Sequence, residues 1–246
     1  NIKYPDSVGY CHKIGLDIEQ WLKEDLVDAL VPGGYFQLNP WQTSVALGKK
    51  YGVPVWACLA ENRVRDPRGN TARKSAAALR ARAAAAWSAG VDAIEMFNHF
   101  DPQQSYWLEL GSLGSLRDLP KTYFVSVQGE GSAQSWVPTD EYITLPGLTP
   151  DEPEIIPSGA KLTYDIYLGD DLHESSPLTP RIRIQLSDTI GSTDAKVRWH
   201  GTTLELKPDG PGDYTASLDP STIVPGRHRI EVLNPGITDV EIGDLM

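Results

Sequence analysis

The first 128 residues repeat one hydrophobic pattern three times: an amphipathic helix, a buried apolar strand, and a glycine-rich or polar exit that leads into the next helix. The apolar strand segments are 26–31, 53–60 and 91–97. Strands that alternate with helices predict parallel β-α-β units. A complete (β/α)8 barrel needs eight units and typically ~250 residues. The pattern therefore predicts an α/β domain that is the C-terminal half of a TIM-type (β/α)8 barrel.

Residues at the helix ends support this prediction. Asp17 and Gln20 have capping-box spacing, and Asn39-Pro40 places a cap before a proline at the first helical position. An alanine- and arginine-rich segment predicts one long helix over 71–89, which Gly90 ends.

The hydrophobic period changes to two in the last third of the chain. Short alternating segments lie at 161–167, 181–186, 195–199, 203–206, 214–218 and 228–233. They predict an antiparallel, jelly-roll-like β-sandwich of six or more strands and no helix. The predicted domains are a partial barrel at 1–128, a linker or crossing loop at 129–159, and an accessory sandwich at 160–246.

Composition changes this picture little but excludes some partners. The 33 acidic and 22 basic side chains give a formal net charge of -11, which argues against nucleic acid as a ligand. No apolar run approaches the ~20 residues of a membrane-spanning helix. Cys11 and Cys58 are expected to be buried free thiols. The sequence assigns no compartment and starts at Asn1 without a signal peptide.

Two glutamates are the candidate catalytic residues, because the active site of such a barrel lies where its strands end. Glu61 follows the second apolar strand, and Glu95 lies inside the third. A charged glutamate inside a barrel costs several kcal/mol unless it has a partner. The alternatives are that Glu61 caps a helix or pairs with Arg63, and that Glu95 forms an interior ion pair, for example with His99.

Aromatic, amide and basic side chains follow the same strands. Sugar rings stack on aromatic faces while their hydroxyls bind polar groups, so these side chains are candidate substrate-binding residues. They are Tyr35, Trp41, Asn62, Arg63, Asn98, His99 and Trp107. The arginine-rich loop 63–70 suits a carboxylate or sulfate on an acidic saccharide, although such loops are more often simply solvated.

Several segments carry a resemblance to barrel glycoside hydrolases of the family-10-like glycosyl hydrolase group. In the barrel part they are Tyr-Pro-Asp-Ser-Val (4–8), Leu-Val-Asp-Ala-Leu-Val-Pro-Gly-Gly-Tyr-Phe (26–36), Val-Trp-Ala-Cys-Leu-Ala-Glu (55–61) and Val-Asp-Ala-Ile-Glu-Met-Phe-Asn-His-Phe-Asp (91–101). Segments 197–202 and 224–232 resemble hairpins of the sandwich that follows such barrels. The resemblance implies that the three strands are the sixth, seventh and eighth. It places Glu61 where many retaining enzymes carry the nucleophile and implies an acid/base residue on a fourth strand outside this sequence.

The function predicted from these observations is carbohydrate-active hydrolysis of O-glycosyl bonds, by a protein of which this chain is the C-terminal part and is incomplete for catalysis. An oligosaccharide or polysaccharide is the expected substrate, with no cofactor and no metal. The alternative is a noncatalytic carbohydrate-binding or scaffold protein. A metal-dependent hydrolase that uses Glu61, His99 and Asp101 is a third hypothesis. The open edges of a half barrel also predict self-association.

Overall fold

A computed structural model describes residues 1–33, 37–129, 141–172, 177–187 and 194–246. Its first half alternates strands and helices. In chain order they are β1 (Ile2–Tyr4), α1 (Val8–Lys13), α2 (Ile18–Lys23), β2 (Leu30–Pro32), α3 (Trp41–Tyr51), β3 (Trp56–Leu59), α4 (Pro67–Lys74), α5 (Ala76–Ala89), β4 (Ala93–Met96), α6 (Tyr106–Glu109) and α7 (Leu113–Leu116).

The four strands of this half are parallel and adjacent in chain order. β1 pairs with β2 and β3 pairs with β4, while parallel bridges from Leu30 to Val55 and from Gly33 to Cys58 join β2 to β3. The three predicted strands are thus confirmed as parallel, although each is shorter than its apolar segment. The sequence pattern missed β1, because three residues are too few to show a period.

The helices of this half pack on one face of the four strands. One hydrophobic core contains Tyr4, Leu30, Val55, Ala57 and Leu59 together with apolar side chains of α1, α2, α3, α5, α6 and α7. Successive strand side chains point to opposite faces. The other face, called the inner face below, therefore carries Lys3, Val31, Trp56, Cys58, Glu95 and Phe97.

The helix ends agree with the sequence in part. Asp17 caps α2 by accepting from the backbone N–H of Gln20 at 3.2 Å, and Gly90 ends α5 in the left-handed conformation at φ 93°. The prediction of one continuous helix over 71–89 is wrong, because this range contains parts of two helices, α4 and α5. Ser75 adopts extended backbone at ψ 152° and caps α5, so it separates α4 from α5. Asn39 does not cap α3 through its side chain, because its amide bonds elsewhere.

The second half contains only strands and one short 3-10 turn, Pro220–Thr222, among the residues that the structure describes. Its strands are β5 (Glu154–Ile156), β6 (Lys161–Leu168), β7 (Arg181–Ser187), β8 (Lys196–Trp199), β9 (Thr202–Thr203), β10 (Lys207–Pro208), β11 (Asp213–Ser217), β12 (Gly226–Leu233) and β13 (Val240–Leu245). They form two sheets, ordered β10-β11-β7-β13-β5 and β6-β12-β8-β9, which share one hydrophobic core.

Every strand pairing in these two sheets is antiparallel, which confirms that prediction. Three strands were missed. β5 lies inside the range predicted as a linker and pairs with β13, which the pattern also did not predict. Of the segment predicted as a strand at 203–206, only Thr203 lies in a strand, β9, and the missed strand β10 begins one residue after that segment.

The two halves are joined by buried polar contacts. Arg73 of α4 is fully buried, and its Nη1 and Nη2 donate to the two carboxylate oxygens of Asp244 in β13 at 2.8 and 2.7 Å. Its Nε and Nη2 also donate to the carbonyl of Ser126, and Phe124 lies 4.3 Å from its guanidinium. Lys121 and Asp170 form a second buried ion pair at 2.8 Å.

A pair of histidines lies in the four-stranded sheet. His228 Nε2 lies 2.6 Å from the carbonyl oxygen of Val224, which only accepts, so this nitrogen carries a proton. The Nδ1 of His228 then accepts from His200 Nε2 at 2.8 Å. Trp199 stacks on the His228 ring with centroids 4.9 Å apart. Burial, and to a lesser extent the nearby His200, lowers the pKa of His228.

A pH-dependent loss of stability follows from this lowered pKa. Below about pH 6.5, the ordinary histidine value, the unfolded chain binds the proton at position 228 more readily than the folded chain does. The free energy of unfolding should therefore fall with decreasing pH, by at most about 1.4 kcal/mol per pH unit from this group. Urea unfolding of the wild type and of His228→Gln between pH 7.5 and 5 measures the difference. An identical pH dependence in the two proteins would contradict this, and His12→Gln, at a half-exposed position, is the control.

Candidate functional site

The carboxyl ends of β1 to β4 lie along one edge of the parallel sheet, and Asp6 follows β1 at this edge. Asp6 is 2 % exposed, and its carboxylate accepts from the backbone N–H groups of Leu38 and Asn39 at 2.7 and 3.0 Å. Burial raises the pKa of Asp6 to about 7, against the opposing effect of these two hydrogen bonds. Asp6 therefore fixes the backbone of Leu38 and Asn39, just before α3.

The inner face carries an ion pair between Lys3 of β1 and Glu95 of β4. The Lys3 Nζ and Glu95 Oε1 atoms lie 2.7 Å apart, and the same ammonium lies 4.1 Å from the centre of the Phe97 ring. The Glu95 side chain is 35 % exposed, yet its Oε2 is buried and has no hydrogen-bond partner. The expectation that a glutamate here needs a partner is confirmed, and its partner in the ion pair is Lys3 rather than His99.

Cys58 lies opposite Glu95 in the pairing of β3 with β4. Burial, followed by the negative charge of Glu95, raises the pKa of the Cys58 thiol to about 11. The other cysteine, Cys11, is also a buried free thiol, and burial raises its pKa to about 12. Neither cysteine is therefore a thiolate nucleophile near neutral pH.

His99 follows β4 and contacts Tyr106 at the start of α6. The His99 Nδ1 and Tyr106 oxygen lie 3.0 Å apart, and the two rings meet edge to face with centroids 5.7 Å apart. Burial lowers the pKa of His99, and the positive charge of Arg82 acts in the same direction while Glu61 opposes it. His99 is therefore a neutral imidazole near pH 7.

Glu61 is exposed at the exit of β3. Glu61 comes two residues after Leu59. The Leu59 side chain lies in the core that the helices cover. Glu95 instead occupies the inner face at the level of Cys58, three residues before Glu61 in the register of the two strands. The side chains of Glu61 and Glu95 therefore lie at different heights along the strands. Glu95 is also fixed in the ion pair with Lys3.

Two of the predicted substrate-binding residues are buried. Trp41 is 5 % exposed and lies against Gly33, where an added Cβ would come within 2.9 Å of the indole ring. Asn62 is 1 % exposed, and its Oδ1 accepts from the backbone N–H of Val64 at 2.8 Å and from the amide of Asn70. Asn62 thus shapes the loop that follows β3.

The remaining candidates lie at or near the surface. Asn98 and Arg63 are exposed and adopt left-handed backbone at φ 60° and 58°. Trp107 is 38 % exposed, and its indole N–H donates to the carbonyl of Asp101 at 2.7 Å. Tyr35 lies outside the described residues.

The arginine-rich loop 63–70 contains the start of α4. Asp66 caps this helix by accepting from the backbone N–H of Gly69 at 2.6 Å. Arg68 forms an ion pair with Asp213 of β11 at 2.6 Å, so this guanidinium links the loop to the sandwich.

Sequence reasoning missed Arg82, a residue of α5. It is 7 % exposed, and its Nη1 donates to the carbonyl of Ala60 at 2.7 Å. Its Nε and Nη2 are buried and have no hydrogen-bond partner. Burial lowers the pKa of Arg82 to about 10. The sequence signal that could have identified Arg82 is its position among the buried alanines of α5. Lys3 was missed because β1 was missed.

No group of three His, Cys, Asp or Glu side chains that could hold a metal ion occurs within the described ranges. The Asp101 carboxylate accepts instead from the backbone of Gln103 and the side chain of Gln104. In the same ranges, no helix is long and apolar enough to cross a membrane. No family model matches the sequence, and no curated protein matches it with significant similarity.

Proposed function

We propose that this chain is the C-terminal part of a carbohydrate-active hydrolase that cleaves O-glycosyl bonds. The observation that carries the proposal is the inner face of the parallel sheet. It presents a lysine–glutamate ion pair beside the aromatic rings of Trp56 and Phe97. Charged and aromatic side chains together are the groups that bind sugar hydroxyls and sugar ring faces.

The arrangement of strands and helices supports a half barrel as the scaffold. A doubly wound sheet has helices on both faces and a point where the strand order reverses. In this chain β1 to β4 follow one another in chain order, and the apolar helix side chains of the core pack on one face. Those are the features of consecutive (β/α)8 units, with the inner face towards the barrel axis. The two antiparallel sheets are then an accessory jelly-roll-like sandwich.

Glu61 is proposed as the catalytic carboxylate and Glu95 as the group that orients the site. Glu61 is exposed at the strand exit, where barrel enzymes place their reacting groups. Glu95 is fixed by Lys3 on the inner face, so its charge has a defined position beside the aromatic rings of that face. Hydrolysis needs a second reacting carboxyl about 5 to 9.5 Å from the first. We propose that it is contributed by strands outside this chain.

A noncatalytic carbohydrate-binding protein is the second candidate. The different levels of Glu61 and Glu95 favour it, since the described residues do not form a pair of facing carboxylates. Such a protein would bind oligosaccharides at the same edge of the sheet without hydrolysing them.

Hydrolysis of a panel of aryl glycosides separates the two candidates. We expect the present chain to hydrolyse none of them faster than buffer and the complete product of its gene to hydrolyse at least one. In that complete protein Glu61→Gln should lower kcat by about 100-fold or more, because it keeps the shape and removes the reacting charge. Glu95→Gln should cost less.

Glu205→Gln, an exposed position in the sandwich, is the matched control and should leave kcat unchanged. A larger loss from Glu95→Gln than from Glu61→Gln would reverse the two roles. Binding of oligosaccharides by the complete protein without any turnover would favour the noncatalytic candidate.

A further inference from the structure

One face of the four-stranded sheet β6-β12-β8-β9 points away from the core of the sandwich. Alternate residues of a strand share a face, and Tyr164, Val197 and Ile230 point into the core. The residues between such core positions form the opposite face, called the outer sheet face below. Its charged residues, five basic and two acidic, are Lys161, Asp165, Lys196, Arg198, Arg227, Arg229 and Glu231. This face therefore has an excess of positive charge in a chain whose formal net charge is -11.

The basic side chains of the outer sheet face are more exposed than the acidic ones. Lys161 pairs with Glu231, and Arg227 pairs with Asp165. In these two pairs the acidic side chains are 16 and 25 % exposed, whereas the basic side chains are 56 and 53 % exposed. The cations remain this exposed although α5 contacts both β6 and β12. A ligand on this face therefore meets the cations before it meets the carboxylates.

Three further cations of this face are not neutralised by a carboxylate of their own. Arg229 is 58 % exposed and lies 3.8 Å from Asp165, which Arg227 already binds at 2.7 Å. Lys196 is exposed, and neither Lys196 nor Arg198 forms an ion pair within the ranges that the structure describes. The Nε of Arg198 donates to a threonine hydroxyl on β9 at 3.3 Å. These cations are available to an anion from solution.

The spacing of the cations favours a polymer with repeated carboxylates over a single small anion. The cations lie on three adjacent strands, which run about 4.8 Å apart, and alternate residues of one strand lie about 6.8 Å apart. A polymer can therefore place carboxylates on several cations at once, and linked contacts strengthen one another. Nucleic acid fits less well, because a duplex carries about one charge per 1.7 Å and the net charge of -11 repels it. A polymer with one carboxylate per sugar ring is less densely charged.

We propose that the outer sheet face binds an acidic polysaccharide, a polymer of hexuronate units, through Lys196, Arg198 and Arg229. This inference rests on the proposed carbohydrate function and adds the substrate class. It assigns acid recognition to the sandwich rather than to the loop 63–70, where Arg68 is already paired with Asp213. A polymer held by the sandwich stays at high local concentration around the edge of the parallel sheet that is proposed to hydrolyse it.

Calorimetric titration of the present chain with polygalacturonate and with alginate, two hexuronate polymers, tests this proposal. Fully methyl-esterified polygalacturonate is the matched probe, because it keeps the backbone and removes the charges. We expect at least one acid polymer to bind about tenfold or more tightly than the ester at low salt. The preference should decrease at about 1 M salt, since exposed charges are then screened over about 3 Å.

The double change Lys196→Gln with Arg198→Gln should weaken binding of the acid polymer by about tenfold and leave thermal stability unchanged, because both side chains lie on the surface. The control is Lys13→Gln with Lys23→Gln, at exposed positions of the α/β half. It removes the same charge from the whole protein and should weaken binding by less than about twofold.

Acid polymers that bind no more tightly than the ester, or equal losses from the two double changes, would overturn the proposal. Polyuridylate or phosphatidylserine vesicles bound as tightly as the acid polymers would show a general polyanion surface and overturn the sugar assignment. The proposed hydrolase function fails separately, if the acid polymer binds through Lys196 and Arg198 and the complete gene product turns over no glycoside. Turnover of glycosides without binding of either polymer contradicts only the role of the outer sheet face.

Discussion

Arg73→Met should lower the free energy of unfolding by about 3–5 kcal/mol. The change leaves Asp244, which is 4 % exposed, as a buried carboxylate without its cation. It also frees the Ser126 carbonyl from two guanidinium hydrogen bonds. Urea unfolding at pH 7 measures the loss. The pair joins α4 to β13, so the stability that is lost includes the contact between the two halves.

Arg68→Met is the matched control for this prediction. Arg68 lies on the same helix and also pairs with an aspartate of the sandwich, Asp213, but its side chain is 57 % exposed. Asp213 is itself buried but keeps Arg183 at 3.4 Å when Arg68 is replaced, and ion pairs of an exposed side chain contribute about 0–1 kcal/mol. Equal losses from the two changes would show that burial does not set the strength of the Arg73 contact. The double change Arg73→Met with Asp244→Leu should recover part of the loss, because no unpaired charge remains.

Gly169→Ala is expected to cost about 3 kcal/mol, because the chain approaches α5 closely at this point. An added Cβ would overlap the backbone carbon and oxygen of Ala84, and it would lie 2.6 Å from the nitrogen of Ala85. Helix backbone cannot yield as a flexible side chain does, so α5 and the residues after β6 must move apart. Thermal or urea unfolding of the variant measures the cost.

Gly147→Ala is the control for Gly169→Ala, since an added Cβ at position 147 meets nothing within 4 Å. It should change stability by no more than about 0.5 kcal/mol. If Gly169→Ala also changes stability by no more than about 0.5 kcal/mol, the contact between α5 and the residues after β6 is looser than described here.

The α/β order of the first half was predictable because its strands are apolar and its helix ends carry strong signals. Gly90 and Asp17 occupy the cap positions that their chemistry favours. The break at Ser75 was not predictable from helix propensity, because the alanine-rich sequence on its far side continues a good helix. Tertiary contacts decided it, since Arg73 turns into the interface with β13 while α5 packs against the parallel strands.

The antiparallel half followed from period-two alternation, and β6, β7 and β12 lie within a residue or two of their predicted limits. β5 has only three residues in a proline-rich stretch, where no period is visible. β13 contains Gly243 and Asp244, and its register shifts between Ile242 and Asp244. Such an irregularity interrupts the alternation on which the prediction depends.

The candidate site was predictable only as a set of residues at one edge. The sequence singled out Glu61, Glu95 and His99, and strand alternation gave the face of Glu95 correctly. Its partner Lys3 comes from a strand 92 residues earlier, and Arg82 reaches the Ala60 carbonyl from a helix. Contacts of this kind depend on the tertiary fold and leave no local pattern in the sequence.

The structure of the complete gene product with a bound oligosaccharide would decide whether β1 to β4 belong to a glycosidase barrel. We expect β1 to pair, on the side away from β2, with a preceding parallel strand, and Lys3, Trp56 and Glu95 to face the interior of a closed barrel. The sugar should then lie at the carboxyl ends of β1 to β4, within hydrogen-bond distance of Glu61 or Glu95. A layer of helices over the inner face, a second copy of the chain paired along the β1 edge in place of a barrel strand, or a sugar bound only to the sandwich would contradict it.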